Sequence, residues 1–319
     1  DDTYVAAISG TSLTLSKVAS GSSTSTLSFF TPHGVVVGGG FNVSSGSHSF
    51  VGGGGYAGAS GAGSSTNRAT GDWSAIVGGM GNLASGSNSF IGGGGFPLGN
   101  GNTASGQSSV VAGGYSNSVS GFASTCIGGT GNTANGNYGV VGGANNTNNA
   151  ANAVIIGGQF GTARNIAGNF VMPACASPIA GVSGVSQAAL VILARETTDA
   201  TATRLTSDAS STGSTVNQVI LPNNSAYFFT GEVVAGVTGG GNTKGWTIEG
   251  VIKRGANAAS TALVGTPTVT STYADAGAST WVIAVTADTT NGGLAVTFTG
   301  QAATTIRTVC QIRTTEMTY

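Results

Sequence analysis

The sequence predicts an all-β chain: a trimeric β-roll, or β-solenoid, of 14–15-residue coils followed by a jelly-roll-like antiparallel β-sandwich. Three observations lead there. A Gly-rich phrase recurs at a nearly fixed period between Gly34 and Gly168, each copy carries one pair of adjacent apolar residues, and beyond Gly168 alternating runs appear with no helix-length pattern. The expected organisation is an N-terminal cap or linker over 1–33, the repeats over 34–168, a linker over 169–187 and the sandwich over 188–319.

Residues 1–33 are rich in Ser and Thr with short β-type pieces, and they are expected to cap the open end of the solenoid. The chain opens with Asp1-Asp2 and no Met, which reads as a processed or truncated start. The repeats then begin. NLASGSNSFIGG from Asn82 returns as NVSSGSHSFVGG from Asn42, NRATGDWSAIVGG from Asn67, NTASGQSSVVAGG from Asn102, NSVSGFASTCIGG from Asn117 and NTANGNYGVVGG from Asn132. Gly-Gly pairs start at 38, 52, 78, 92, 113, 128, 142 and 157, so the spacing is 14 or 15 except where 26 and 21 mark insertions. Repeats of helix pairs run from about 33 residues upward, so this period fits a β-solenoid coil. In each unit an Asn and a Gly four apart bracket a polar segment, and Gly-Gly follows the apolar pair. Gly supplies positive φ at little cost and Asn tolerates it, so both are expected at corners.

The apolar pairs are Phe50-Val51, Ile76-Val77, Phe90-Ile91, Val110-Val111, Cys126-Ile127, Val140-Val141 and Ile155-Ile156. Successive strand residues point to opposite faces, so one of each pair fills the roll and its neighbour faces out. An outward column of this kind is an apolar stripe of several hundred Å², larger than soluble monomers keep. A second and third copy of the chain are the expected cover, although the spacing alone does not separate three copies from two.

The phrase ASGxxSxVxGGxxN resembles the head repeat of trimeric autotransporter adhesins, a β-roll trimer that also occurs in phage tail fibres. The resemblance covers roughly Gly34 to Gly168; Val-Gly-Gly or Ile-Gly-Gly stands where that family has Ala-Ile-Gly. It implies a homotrimer, with Phe50, Val51, Ile76, Val77, Phe90, Ile91, Val110, Val111, Ile127, Val140, Val141, Ile155 and Ile156 forming the repeat and trimer core. It further implies a phage tail fibre on the virion, contacting other tail or baseplate proteins and attaching to a host cell-surface receptor, a glycan or outer-membrane component, by non-enzymatic multivalent adhesion. The alternatives are the head of a bacterial adhesin at the cell surface and a capsid-decorating fibre. Such adhesins follow the head with a heptad stalk, and Asn169 to Tyr319 has no heptads.

Two insertions, near Tyr56 to Thr66 and Phe96 to Asn100, are expected as loops on one face of the rod. Asn169 to Gln187, with Pro173 and Pro178, reads as a linker. Strands are expected over 188–195, 215–221, 227–237, 246–253, 263–273, 281–287, 294–299 and 305–313, with Asn291-Gly292 turning a hairpin. This part resembles the terminal β-sandwich modules of phage tail fibres.

Charged residues make up 7% of the chain and the formal net charge is −1, which leaves no electrostatic footprint for nucleic acid or an anionic membrane. No apolar run reaches membrane-spanning length. Cys126, Cys175 and Cys310 are too few and too far apart for a disulfide framework or a CxxC metal site, and His33 and His48 have no partner at metal-ligand spacing. No cofactor, metal or catalytic residue is expected, and the chain reads as a non-enzyme. Gly52 to Gly55 and Gly92 to Gly95 repeat at the coil period and lack the Lys of a phosphate loop. Glu232 and Glu249 lie on adjacent expected strands as a glycosidase pair would, but the rod has only Asp72 for an acid, and this reading is set aside. Tyr56, Phe96, Trp246 and Tyr273 are the receptor-binding candidates, the first two from the insertions and the others as rings able to stack on a sugar; Trp246 and Trp281 also fit a sandwich core.

Overall fold

A computed structural model describes residues 5–9, 12–15, 33–55, 66–95, 100–176, 178–208 and 210–319. The chain divides into two units, 1–30 and 31–319. In the first, Val5–Ser9 and Ser12–Leu15 pair as an antiparallel hairpin. Of the rest of the expected cap, only His33 is among the described residues.

The second unit begins as a parallel β-solenoid of about eight turns. Each coil contributes two short strands. One sheet stacks Val43–Ser44, Arg68–Ala69, Leu83–Ala84, Thr103–Ala104, Ser118–Val119, Thr133–Ala134 and Thr147–Asn148. The other stacks Val35–Val36, Phe50–Val51, Ala75–Ile76, Phe90–Ile91, Val110–Val111, Thr125–Thr130, Val140–Ala144 and Val154–Ile155. The interior is thin. Val51, Ile76, Ile91, Val111, Cys126, Val141 and Ile155 form one buried column, and Ala69, Ala84, Ala104, Val119 and Ala134 form the small-residue column of the other sheet. Large side chains across from small ones suit a roll this narrow, since protein interiors are close-packed.

In every apolar pair one member is buried and its neighbour is not, as alternation requires. The outward members nevertheless fall into two columns. Phe50, Phe90, Val110 and Val140 precede the buried residue, whereas Val77, Ile127 and Ile156 follow it. Glycine makes the interleaving possible: Ile127 Cγ1 and Cδ1 occupy the space that a Cβ on Gly142 would take.

The recurring Asn does something other than turn a corner. Asn67, Asn82, Asn102, Asn117, Asn132 and Asn146 are completely or almost completely buried, and their side chains form a ladder along the rod. Asn117 Nδ2 donates to the carbonyls of Gly113 (3.1 Å) and Gly129 (2.9 Å), while its Oδ1 accepts the backbone N–H of Asn132 (3.0 Å). Left-handed corners fall instead on the second Gly of the Gly-Gly pairs, as at Gly79 (φ 88°) and Gly114 (φ 85°), and on a variable position, His48, Trp73, Asn88, Ser108, Ala123, Tyr138 and Asn152, with φ between 50° and 58°. A Gly stands four residues after the Asn in every coil but that of Asn146, where Ala150 takes its place, and close approach fixes it: a Cβ on Gly86 or Gly106 would collide with the carbonyl oxygen of the next coil's glycine.

The expected linker is not a break. Phe170–Pro173 pairs in parallel with Val154–Ile155 and antiparallel with Ser186–Thr197, so the solenoid sheet runs directly into a C-terminal sheet. From that splice the order is Ser186–Thr197, Ile306–Thr318, Ser225–Val237, Thr243–Arg254, with Ala262–Leu263 and Thr268–Ala274 on the far edge. A second sheet consists of Gly293–Thr299 flanked by Val282–Asp288 on one side and by Thr203–Arg204 and Val219–Ile220 on the other. Both sheets contribute to one hydrophobic cluster, in which Trp246 and Trp281 each meet Phe298 edge-on at 6.2 and 6.1 Å. These strand orders do not display the expected jelly roll. The hairpin at Asn291-Gly292 forms, but its turn has four residues, Thr289 to Gly292, and only Gly292 takes positive φ (75°).

Buried charge is organised around two carboxylates. Glu316 accepts from Arg164 Nε (2.8 Å), Gln187 Nε2 (2.8 Å) and the Thr314 hydroxyl (2.9 Å), and the Arg164 guanidinium lies 5.5 Å from the centre of the Tyr227 ring. Burial and the Glu316 charge push the Tyr227 hydroxyl well above its usual range. Asp288 accepts from Gln218 Nε2 (2.8 Å), Asn291 Nδ2 (2.9 Å) and the N–H groups of Thr290 and Asn291, beside Arg204 (3.3 Å). Burial alone would raise the Asp288 carboxyl, but these donors and the Arg204 charge outweigh it and hold it well below the carboxylate range. A depressed folded-state pKa contributes stability above the unfolded value, about 3.9, that is lost as pH falls below it. Asp288→Asn is therefore expected to lower urea-unfolding stability by about 1–3 kcal/mol at pH 7 and by clearly less at pH 3; an equal loss at both pH values would contradict the assignment.

Candidate functional site

The outer face of the C-terminal sheet carries the most developed constellation of polar side chains. Register builds it. Thr230 on the Ser225–Val237 strand stands opposite Glu249 on one side and Arg313 on the other, and Glu232 stands opposite Thr247 and Gln311. Glu249 is in turn opposite Thr268, and Thr247 opposite Thr270, on the edge strand. Thr230, Glu232, Thr247, Glu249, Gln311 and Arg313 each alternate with a buried or half-buried neighbour, so they point outward, and the register sets Thr268 and Thr270 in line with them. All of these except Thr270 line a cavity of about 230 Å³.

Glu232 and Glu249 are diagonal neighbours, about 7–8 Å apart with their Cβ atoms somewhat closer. Among the described residues neither carboxylate has a hydrogen-bond or ion-pair partner. Arg313 is engaged along its own strand: with the Gln311 amide oxygen turned toward it, that oxygen accepts from Nε (2.9 Å) and Nη2 (3.0 Å). Apolar rows flank the polar ones. On one side Val309, Val234 and Gly245 lie in line with Tyr273, and on the other Phe228 lies opposite Val251.

Of the receptor-binding candidates, Tyr273 is 79% exposed and stands opposite Gly245, one row from Thr247. Trp246 is buried in the hydrophobic cluster with Lys244 Nζ 5.2 Å from its ring, because it alternates with the outward Gly245 and Thr247; it cannot stack on a ligand at this face. Tyr56 and Phe96 lie outside the described residues. The structure thus brings together Glu232 and Glu249, the pair set aside on sequence, and joins Tyr273 to them. Thr230, Thr247, Thr268, Gln311 and Arg313 were missed, although TGE, TIE and QIR each place two polar residues on one face of a strand.

His33 and His48 stack on one another at 4.7 Å, and His48 stacks on Trp73 at 6.2 Å, along an edge of the rod. No group of three or more His, Cys, Asp or Glu side chains among the described residues is arranged to hold a metal ion. Cys310 is buried, which pushes its thiol up to about 12. No helix among the described residues is long and apolar enough to cross a membrane.

No protein family and no curated protein matches the chain. Among solved structures it is similar to the tailspike protein gp49 of Acinetobacter baumannii bacteriophage Fri1, described as a capsular polysaccharide depolymerase, at 10% identity and a TM-score of 0.22. The match covers 83% of this chain and 46% of that chain, so this chain corresponds to less than half of the tailspike's length. The class that the fold defines is an all-β chain built on a β-solenoid of about eight turns. The exclusion of enzymatic activity drawn from the sequence does not stand, because that tailspike is described as a depolymerase. A likeness this distant assigns no reaction to this chain.

Proposed function

We propose that this chain is a phage tail protein that binds the host cell surface, assembling as a homotrimer with the solenoid as a stiff rod and the C-terminal sheets as the receptor-facing part. The observation that carries the reading is the outward apolar column. Val77, Ile127 and Ile156 are each at least half exposed on the isolated chain, and Phe50, Phe90, Val110 and Val140 fill in beside them. A stripe of this extent calls for a cover, and identical rods side by side supply one of matching length. The stripe reaches Met172 and Leu190 at the splice and gives way, two strands further on, to the polar rows around Glu232 and Glu249. Three copies would hold three such surfaces in fixed relation, so weak individual contacts gain avidity. A host polysaccharide or an outer-membrane component is the receptor class, and tail or baseplate proteins are the attachment partners.

Immunogold labelling of phage lysates and bacterial cells with antibodies to the full chain tests this. Label at the distal end of tails is the expected result. Label along the bacterial envelope would replace the reading with a surface adhesin, and label over the capsid would replace it with a decorating fibre.

A further inference from the structure

Resting on that attachment reading, we infer that the trough around Glu232 and Glu249 binds saccharides, and that it selects neutral and amino sugars over acidic ones. A sugar ring has a rim of hydroxyls and apolar C–H faces. The trough presents the complement: two polar rows of carboxylates and threonines, bounded on one side by Val234, Gly245 and Tyr273 and on the other by Phe228. The carboxylates have no protein partner among the described residues, so their oxygens are free to accept from vicinal hydroxyls or an ammonium group. Threonine hydroxyls supply both donor and acceptor capacity beside them.

Tyr273 supplies the stacking surface. Its backbone lies at the sheet edge opposite Gly245, and a Cβ on Gly245 would meet only the Val233 carbonyl, at 3.7 Å. The floor beside the ring is therefore low enough for a pyranose to lie against it. Selectivity follows from charge. The two carboxylates repel a uronate or sialate, and Arg313, the one cation lining the cavity among the described residues, already donates to the Gln311 amide oxygen. Glucosamine-type residues gain an ion pair where uronates meet like charge.

The test measures binding of the full chain to three immobilised oligosaccharides: glucose oligomers from dextran, glucosamine oligomers from chitosan, and uronate oligomers from alginate. The wild-type chain is expected to bind the first two at least tenfold more tightly than the third. Glu249→Gln should weaken glucosamine binding about tenfold and narrow the discrimination against uronate, and Tyr273→Ala should weaken both preferred ligands several-fold. Both side chains are exposed, and unchanged melting temperatures would show that the variants fold. Preference for uronate, no binding to any of the three, or binding unaffected by both substitutions would overturn the inference. The attachment reading fails separately: tail-tip label together with cell adsorption that survives both substitutions would leave it standing and remove only the saccharide site.

Discussion

Asn117→Ala is expected to lower the stability of the rod by about 3–5 kcal/mol, an unusually large effect for a side chain of this size. Asn117 is buried between two coils, donating to Gly113, Gly129 and Asn102 Oδ1 and accepting from Asn132 through both its backbone N–H and its amide. Alanine leaves the Gly113 carbonyl and the buried Asn132 N–H without partners and takes one of two donors from the Gly129 carbonyl, which keeps the Tyr115 N–H; each orphan costs about 1–3 kcal/mol. Because each coil touches only its neighbours, the damage should be local. Amide exchange at Asn132 should accelerate far more than exchange in the Ser225–Val237 strand. The control is Asn88→Gly. Asn88 is exposed at φ 58°, where glycine is at least as comfortable, so that change is expected to alter stability by less than about 0.5 kcal/mol. Equal losses at the two positions would show that the repeated Asn serves the corners after all.

The second large effect is at the splice. Glu316→Ala is expected to cost about 3–5 kcal/mol, because it strands the Arg164 guanidinium in a buried site where it is now paired at 2.8 Å. Gln187 Nε2 and the Thr314 hydroxyl lose the same acceptor. Arg164 sits in the last coil of the rod and Glu316 on the final strand of the C-terminal sheet, so this pair joins the two halves of the 31–319 unit. The double change Arg164→Met with Glu316→Leu should recover most of the loss, since a buried ion pair contributes little over apolar side chains of similar size. Urea unfolding of the three variants measures both statements. A double variant no more stable than Glu316→Ala would mean that the carboxylate's bonds to Gln187 and Thr314, rather than the ion pair, fix the splice.

Much of this architecture was legible because the repeat is a chemical necessity at several positions in every coil. The Gly of ASG tolerates no Cβ, the buried Asn must bridge two coils, and the apolar pair must put one side chain inside. The reason for the Asn was not legible, because a corner residue and a ladder residue look alike until the neighbouring coil is in place. The split of the outward column was hidden for the same reason, since only the register sets Val77 in line with Gly52 and Gly92 rather than with Phe50 and Phe90. Pro173 and Pro178 signalled a break, yet Pro173 closes a strand paired on both sides and takes its place at the strand end, where a missing N–H does little harm. In the C-terminal sheets the alternating runs were read to within a few residues except over 263–273, where Gly265 at φ 75° divides the run into Ala262–Leu263 and Thr268–Ala274. The polar trough stayed hidden because its members come from four strands far apart in sequence, and only register brings Glu232, Glu249 and Arg313 together.

The measurement that bears most directly on the account is sedimentation equilibrium of the full chain at micromolar concentration, beside a variant carrying Val77→Asn, Ile127→Asn and Ile156→Asn. The apolar column predicts a species of three times the chain mass of 30.8 kDa, reduced to single chains by the three substitutions with β-structure retained. A wild-type chain that sediments as a stable monomer, with the column open to water, would contradict it.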